Sequence, residues 1–192
     1  EEEEGFRVTY LPVDSGGNVK LDALKEALCP ETILVSIMYV NNEVGTVQPV
    51  QEAVRIVKQY KPSILFHTDA VQGYGKYRIW PKRMEIDLLT ASGHKIHGPK
   101  GIGFLYIDSK VKIRPIVFGG EQQKNIRSGT ENVPGIAGLG LASKMIYQDL
   151  EMRTALMREL KARFIEGVSK IDNTVIHGFT DEKSAPHIIS LG

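Results

Sequence analysis

The sequence predicts an α/β fold, a mainly parallel sheet covered by helices. Short runs of apolar and β-branched residues alternate along the chain with amphipathic runs at helical spacing, the order of a sheet whose strands are joined by crossing helices. Proline and glycine stand at the seams between these runs, where they end one element and turn the chain into the next. Reactive side chains gather just past the apolar runs, at the strand ends where such sheets hold their ligands.

Each element follows from a local pattern. Arg7 to Val13 (RVTYLPV) reads as a strand, and Leu21 to Leu28 as a short helix stopped near Pro30. Thr32 to Val40 (TILVSIMYV) is an apolar run with several β-branched residues, expected as a buried strand. Pro49 suits the first turn of a helix, and Val50, Val54, Val57 and Tyr60 then recur at helical spacing until Pro62. Ile64 to Ala70, Asp87 to Ser92 and Gly103 to Asp108 are three further strands. From Pro134 to about Ile171 a helical pattern dominates, with Ile146, Leu150, Met157, Leu160, Phe164 and Val168 on one side and a break expected near Gln148 to Met152. Thr174 to His177 and His187 to Leu191 follow as short strands.

Composition narrows the function classes. The formal net charge is +1, so no basic excess points to a nucleic acid or a membrane surface. No apolar run approaches the roughly 20 residues of a membrane span. One cysteine, Cys29, excludes an internal disulfide framework and a multi-cysteine zinc site and fits a reducing compartment; set before Pro30 after a helix, it reads as structural or incidental. The chain opens on four glutamates without a methionine and closes in an apolar run, so a fragment of a longer protein is expected.

The densest chemical signal is Ser92-Gly93-His94-Lys95, which leaves a strand end into a loop that also holds Gly98 and Gly101. A lysine amine in a dry pocket, or beside another cation, becomes available to form a Schiff base with an aldehyde. Ser92 and His94 lie beside it as donors for phosphate oxygens. Taken alone, a surface lysine in a flexible turn explains the segment equally well. A nucleotide P-loop is a poor competitor: Gly93 and Gly98 have its separation, but Pro99 stands where the lysine is required.

Three weaker signals accompany it. Asp69 ends a buried run, where an isolated charge is costly and calls for a cation or several donors. A protonated pyridine nitrogen is one such partner, with Gln72 placed to bond a ring hydroxyl; a turn cap is the commoner role for such an aspartate. Asn41 and Asn42 follow another strand and suit a tight turn. Arg127-Ser128-Gly129-Thr130 has the small donors of an anion nest, or of an ordinary solvated loop. His67, Asp69, His94 and His97 permit a metal reading, but the His-x-Asp and His-x-x-His spacings carry little, and no metal is expected.

In order, ILVSIMYVNNEVG, HTDAVQGYGK, SGHKIHGPKGIG and IRSGTENVPGIAGLG resemble the blocks of the cysteine desulfurases, pyridoxal-phosphate enzymes of the class V aminotransferase family. The resemblance runs from RVTYLP to APHIISLG. It implies the central part of the fold-type I large domain over residues 1–147 and the start of a small C-terminal α+β domain over 148–192. It implies pyridoxal 5'-phosphate held by Lys95 as a Schiff base, by Asp69 at the pyridine nitrogen, by Gln72 at the ring hydroxyl and by Ser92 and His94 at the phosphate. Asn42 would lie against cofactor or substrate, and Thr130 would reach the phosphate of a neighbouring subunit in a homodimer. The implied reaction takes L-cysteine to L-alanine and leaves sulfur as an enzyme persulfide for sulfur-acceptor proteins of iron–sulfur cluster or thio-tRNA synthesis, in the cytoplasm, with no direct nucleic-acid or membrane partner.

Several family features find no match in these residues: a Gly-Ala-Thr-Glu phosphate block, a histidine stacked on the ring, the sulfur-accepting cysteine and the substrate-carboxylate arginine. The segment by itself is therefore expected not to turn over cysteine. Glu121 also replaces a glycine usual after Gly119-Gly120. Other class V activities, such as a selenocysteine lyase or an aminotransferase, share the lysine and aspartate, and a non-catalytic remnant is the rival from outside enzymes.

Overall fold

The computed structural model describes residues 5–192. Its centre is a four-stranded sheet in the order β1 (Leu34–Ser36), β2 (Leu65–Asp69), β3 (Leu88–Ser92) and β4 (Gly103–Ile107). The first three strands are parallel and β4 is antiparallel to β3. The strands are short, but pairing of the first extends beyond its ladder: Leu65 N donates to Ile33 O, Ile37 N to His67 O and Tyr39 N to Asp69 O.

Helices α1 (Leu21–Ala27) and α2 (Val50–Tyr60) pack on one face. In α2 the apolar positions Val50, Ala53, Val54 and Val57 recur at i, i+3, i+4 and i+7, and all four are buried. They meet Phe66, Leu89 and Ala91, which the strand alternation turns toward the same side. Burying a Val or Phe side chain of this kind stabilises by about 1.5–3 kcal/mol each, so this layer is the main support of the sheet.

One ion pair fixes the end of the sheet remote from the strand C-termini. Asp87, fully buried, accepts from Lys58 Nζ of α2 at 2.5 Å and from Phe66 N at 2.7 Å, while Lys110 Nζ stands 3.2 Å from its other oxygen. A carboxylate without these partners would be costly there. The pair joins α2, β2 and the residue that enters β3 at one point.

Helices α3 (Val133–Gln148) and α4 (Leu150–Val168) follow, broken at Asp149 inside the expected window. Asn132 caps α3 by accepting from Gly135 N. A two-stranded antiparallel pair, β5 (Ile176–His177) with β6 (Ser190–Leu191), completes the described chain.

Three expectations are corrected. Arg7 to Val13 forms no strand: among the described residues its one β-bridge joins Val13 to Val19, and Tyr10 is 82% exposed. Strand propensity without a neighbouring edge does not make a ladder. The 32–40 run is buried on one face only, since Val35 and Ile37 are covered while Ile33 and Leu34 are exposed. The apolar stripe of the long helical region reaches the core at Ile146 and Leu150, but Leu160 and Phe164 stay about half exposed.

Candidate active site

Three connections leave the C-terminal ends of the parallel strands at one edge. Past β1 the chain turns over Asn41 to Thr46, closed by Asn41 N to Thr46 O at 2.9 Å and by Asn41 Oδ1, which accepts from the amides of Glu43 and Val44. Past β2, Asp69 turns the chain toward Gln72, its Oδ1 accepting from Val71 N at 2.8 Å. Past β3, Ser92 leads into a single 3-10 turn, Gly93–Ile96, that carries His94 and Lys95. Register ties these ends together: Asp69 pairs with Thr90, and Ala70 N donates to Thr90 O.

The Lys95 turn is the connection of a β3–β4 hairpin. Gly93 N donates to Ile102 O and Gly98 N to Gly93 O, both at 2.9 Å. Ile96 anchors it, 1% exposed, beneath Gly75 and Ile146. Gly75 has φ +74°, and a Cβ added there would lie 2.7 Å from Ile96 Cγ2, so only glycine suits both the backbone and the space. Tyr147 of α3 fastens the same corner, its hydroxyl accepting from Gly75 N and donating to Tyr77 O, each at 3.1 Å. The lysine thus rides on a rigid turn while its own side chain is exposed.

Ser92 Oγ and His94 Nδ1 are 2.7 Å apart, so the hydroxyl and the imidazole act as one polar pair beside Lys95. Lys76, half-buried, donates to Lys95 O at 3.2 Å. Burial, and then the charge of Lys95, lower the Lys76 ammonium below its usual range. Lys95 therefore lacks the dry pocket considered from the sequence but has the neighbouring cation. His67, two residues before Asp69, bridges Ser36 Oγ (2.7 Å) and Thr90 Oγ1 (3.4 Å) across three strands. Burial lowers its pKa, the Asp69 charge opposing, which favours a neutral ring at pH 7.

Asp69, Gln72, Ser92, His94 and Lys95 therefore share one edge of the sheet. Asn42 stands on the adjoining turn, exposed, with its amide donating to Glu43 Oε1 at 2.6 Å. Thr130 is not brought into this group: it lies exposed on the loop before α3. Around Glu121 that loop is braced locally, Ser128 Oγ donating to Gly120 O and Gly129 N to Gln122 Oε1. Among the described residues no three His, Cys, Asp or Glu side chains converge as metal ligands. A surface depression of about 380 Å³ lined by Asp14, Gly16, Val44 and His177 contains none of the predicted site residues.

The donor set suits pyridoxal phosphate. An amine, Lys95 Nζ, has no hydrogen-bond partner among the described residues; a carboxylate, Asp69, keeps Oδ2 uncommitted; and a hydroxyl–imidazole pair sits between them in sequence. The aminotransferase class-V family model matches residues 1–192. This chain belongs to that family. Class-V relatives include the cysteine desulfurase IscS of Methanosarcina thermophila, 47% identical over 187 residues, 97% of this chain and 46% of the relative. A mitochondrial cysteine desulfurase of Eremothecium gossypii is 44% identical over 183 residues, 94% of this chain and 37% of that protein. Among solved structures, a NifS-like protein superposes with a TM-score of 0.95 at 42% identity, covering 99% of this chain and 52% of its own. SspA in complex with cysteine gives 0.81 at 34% identity, covering 99% and 52%. The chain spans about half the length or less of these relatives.

Sequence reasoning passed over two neighbours of the candidate site. Lys76 lies inside the quoted HTDAVQGYGK block, where a lysine after a glycine-rich turn gives no signal of its own. His187 reaches the edge from 115 residues away, its Nε2 standing 3.4 Å from Gln72 Oε1. No local pattern reports a contact of that span.

Proposed function

We propose that this chain is the cofactor-binding centre of a cysteine desulfurase, acting on L-cysteine and yielding L-alanine with the sulfur held as a persulfide. The observation that carries this is the placement of Asp69 and the Ser92–Lys95 turn at the C-terminal ends of the paired strands β2 and β3. The family and the names of its relatives supply the reaction class. Bound pyridoxal phosphate supplies an electron sink for the bond broken at the substrate's Cα.

This chain's own residues would do the rest. Asp69 offers an anion to a protonated ring nitrogen; at about 4 Å and an effective dielectric near 20 the attraction is on the order of 4 kcal/mol before desolvation. Gln72 would bond the ring hydroxyl, and Ser92 with His94 would donate to the phosphate. Lys95 would hold the cofactor at its aldehyde end, and its amine, set free when the substrate amine takes its place, would carry a proton to and from the substrate Cα. Asn42 borders cofactor and substrate from the adjoining turn.

In this reading residues 1–147 belong to the large domain and 148–192 open the small one, in keeping with the helix break at Asp149. The working form is a homodimer in which Thr130, exposed on its loop, completes the partner's phosphate site. Sulfur passes to acceptor proteins of iron–sulfur cluster or thio-tRNA synthesis. A cytoplasmic setting fits the lone thiol Cys29; among the described residues no helix is long and apolar enough to cross a membrane.

The test is spectroscopic. The full-length protein mixed with pyridoxal phosphate is expected to turn yellow, to bleach with borohydride with the cofactor fixed on Lys95, and to release alanine from L-cysteine. Lys95→Ala is expected to abolish all three. Retention of a borohydride-sensitive colour in Lys95→Ala refutes the assignment.

A further inference from the structure

Gln72 is a two-faced side chain: its carbonyl oxygen accepts and its amide hydrogens donate. A ring hydroxyl that has lost its proton is an acceptor only, so it is served by one of these two faces. Within the protein Gln72 Oε1 stands against His187 Nε2. If His187 Nε2 carried no hydrogen, two acceptors would face each other. With hydrogen on Nε2 the contact is a donated bond, and the free end of Gln72 is its amide hydrogens.

The second ring nitrogen is unpartnered in either tautomer, so the Gln72 contact decides between them. His187 Nδ1 is buried and has no partner among the described residues. With hydrogen on Nε2, Nδ1 is an unpartnered acceptor; with hydrogen on Nδ1, it is an unpartnered donor and the Gln72 contact also turns repulsive. Charge also limits the ring to one proton. Burial, then Lys76, Lys161 and Lys95, push its pKa down to about 4.

His187 is held in position from outside the site. Lys161 Nζ of α4 donates to Ser184 Oγ at 2.6 Å and to Ala185 O and Ile188 O at 2.7 Å. Ala185 N donates to Gly45 O at 2.7 Å, and Val47 N to Lys183 O at 2.8 Å, which stitches this segment to the turn that carries Asn42. The imidazole is thereby presented to Gln72 by a braced segment.

We propose that His187 is a positioning residue of the cofactor site, holding the Gln72 amide so that its hydrogens face the cofactor's ring oxygen. This rests on the reading that Gln72 meets that oxygen. A donor there would stabilise negative charge on that oxygen, and its loss would raise the pH at which the yellow colour titrates.

The experiment is that titration on the full-length protein loaded with pyridoxal phosphate. Gln72→Leu is expected to raise the midpoint by about one pH unit, a tenfold change in proton affinity. His187→Leu should raise it about threefold to tenfold in the same terms, and adding it to Gln72→Leu should produce no further shift. His187→Gln, which keeps an N–H, should restore the native midpoint. An unmoved or lowered midpoint in His187→Leu, or full additivity in the double variant, overturns the inference while the cofactor reading stands. No shift in Gln72→Leu overturns the placement of Gln72 at the ring oxygen, and the inference with it, while absence of any colour in the native protein overturns the cofactor reading itself.

Discussion

The pair Lys58–Asp87 gives the sharpest test of how the sheet beneath the site is held together. Lys58 Nζ is 10% exposed at the side chain and bonds a carboxylate that is 0% exposed, whereas Lys110, the other cation on that carboxylate, is 60% exposed. Breaking a buried pair from one side costs about 3–5 kcal/mol because the remaining charge is stranded. Asp87 would keep Phe66 N and Lys110, so Lys58→Met is expected near the lower limit, about 3 kcal/mol. Lys110→Met, at a solvated pair, is expected to cost no more than about 1 kcal/mol. With a urea slope of about 2 kcal/mol/M, the first variant shifts the unfolding midpoint by about 1.5 M and the second by about 0.5 M or less. Urea titration followed by circular dichroism at the helical band reads both. Equal shifts, or a Lys58→Met cost below about 1 kcal/mol, would show that burial does not govern this pair.

Two further outcomes follow from the same geometry. Gly75→Ala meets both a positive φ and the Ile96 side chain, and is expected to cost about 2–4 kcal/mol and to displace the Lys95 turn. Gly140→Ala in α3, where nothing lies within 4 Å of an added Cβ, is expected to stabilise by up to about 1 kcal/mol; thermal melting that ranks the two the other way refutes the packing argument. For pH, His187 takes up a proton near 6.5 when unfolded but near 4 when folded, so the unfolded state binds more protons between those values. Stability is therefore expected to fall as pH drops from about 6.5 toward 4, His67 adding in the same direction, and His187→Gln should flatten that limb in acid titrations of the unfolding midpoint. An unchanged limb would show that the ring is solvated.

How far the site could be read in advance depended on the span of each interaction. The Ser92–Lys95 turn and Asp69 were legible because the reactive residue and the strand that places it are consecutive, and α2 was legible because its four buried positions repeat within eleven residues. The break at Asp149 was visible as a lapse in one periodic pattern. Arg7 to Val13 misled for the complementary reason. Its residues favour extended backbone, but a strand is a property of two segments, and among the described residues this one is paired only around the bridge from Val13 to Val19.

The sequence by itself determined the class of fold, the order of its elements and the chemical types gathered at the strand ends, since these depend on residues near one another along the chain. Tertiary structure alone decided that β4 runs back against β3, that Lys58 of α2 reaches Asp87, and that His187 comes to rest against Gln72. Those contacts arise from how separate elements settle on a shared core, where packing and charge compensation select among many partners that no local spacing distinguishes.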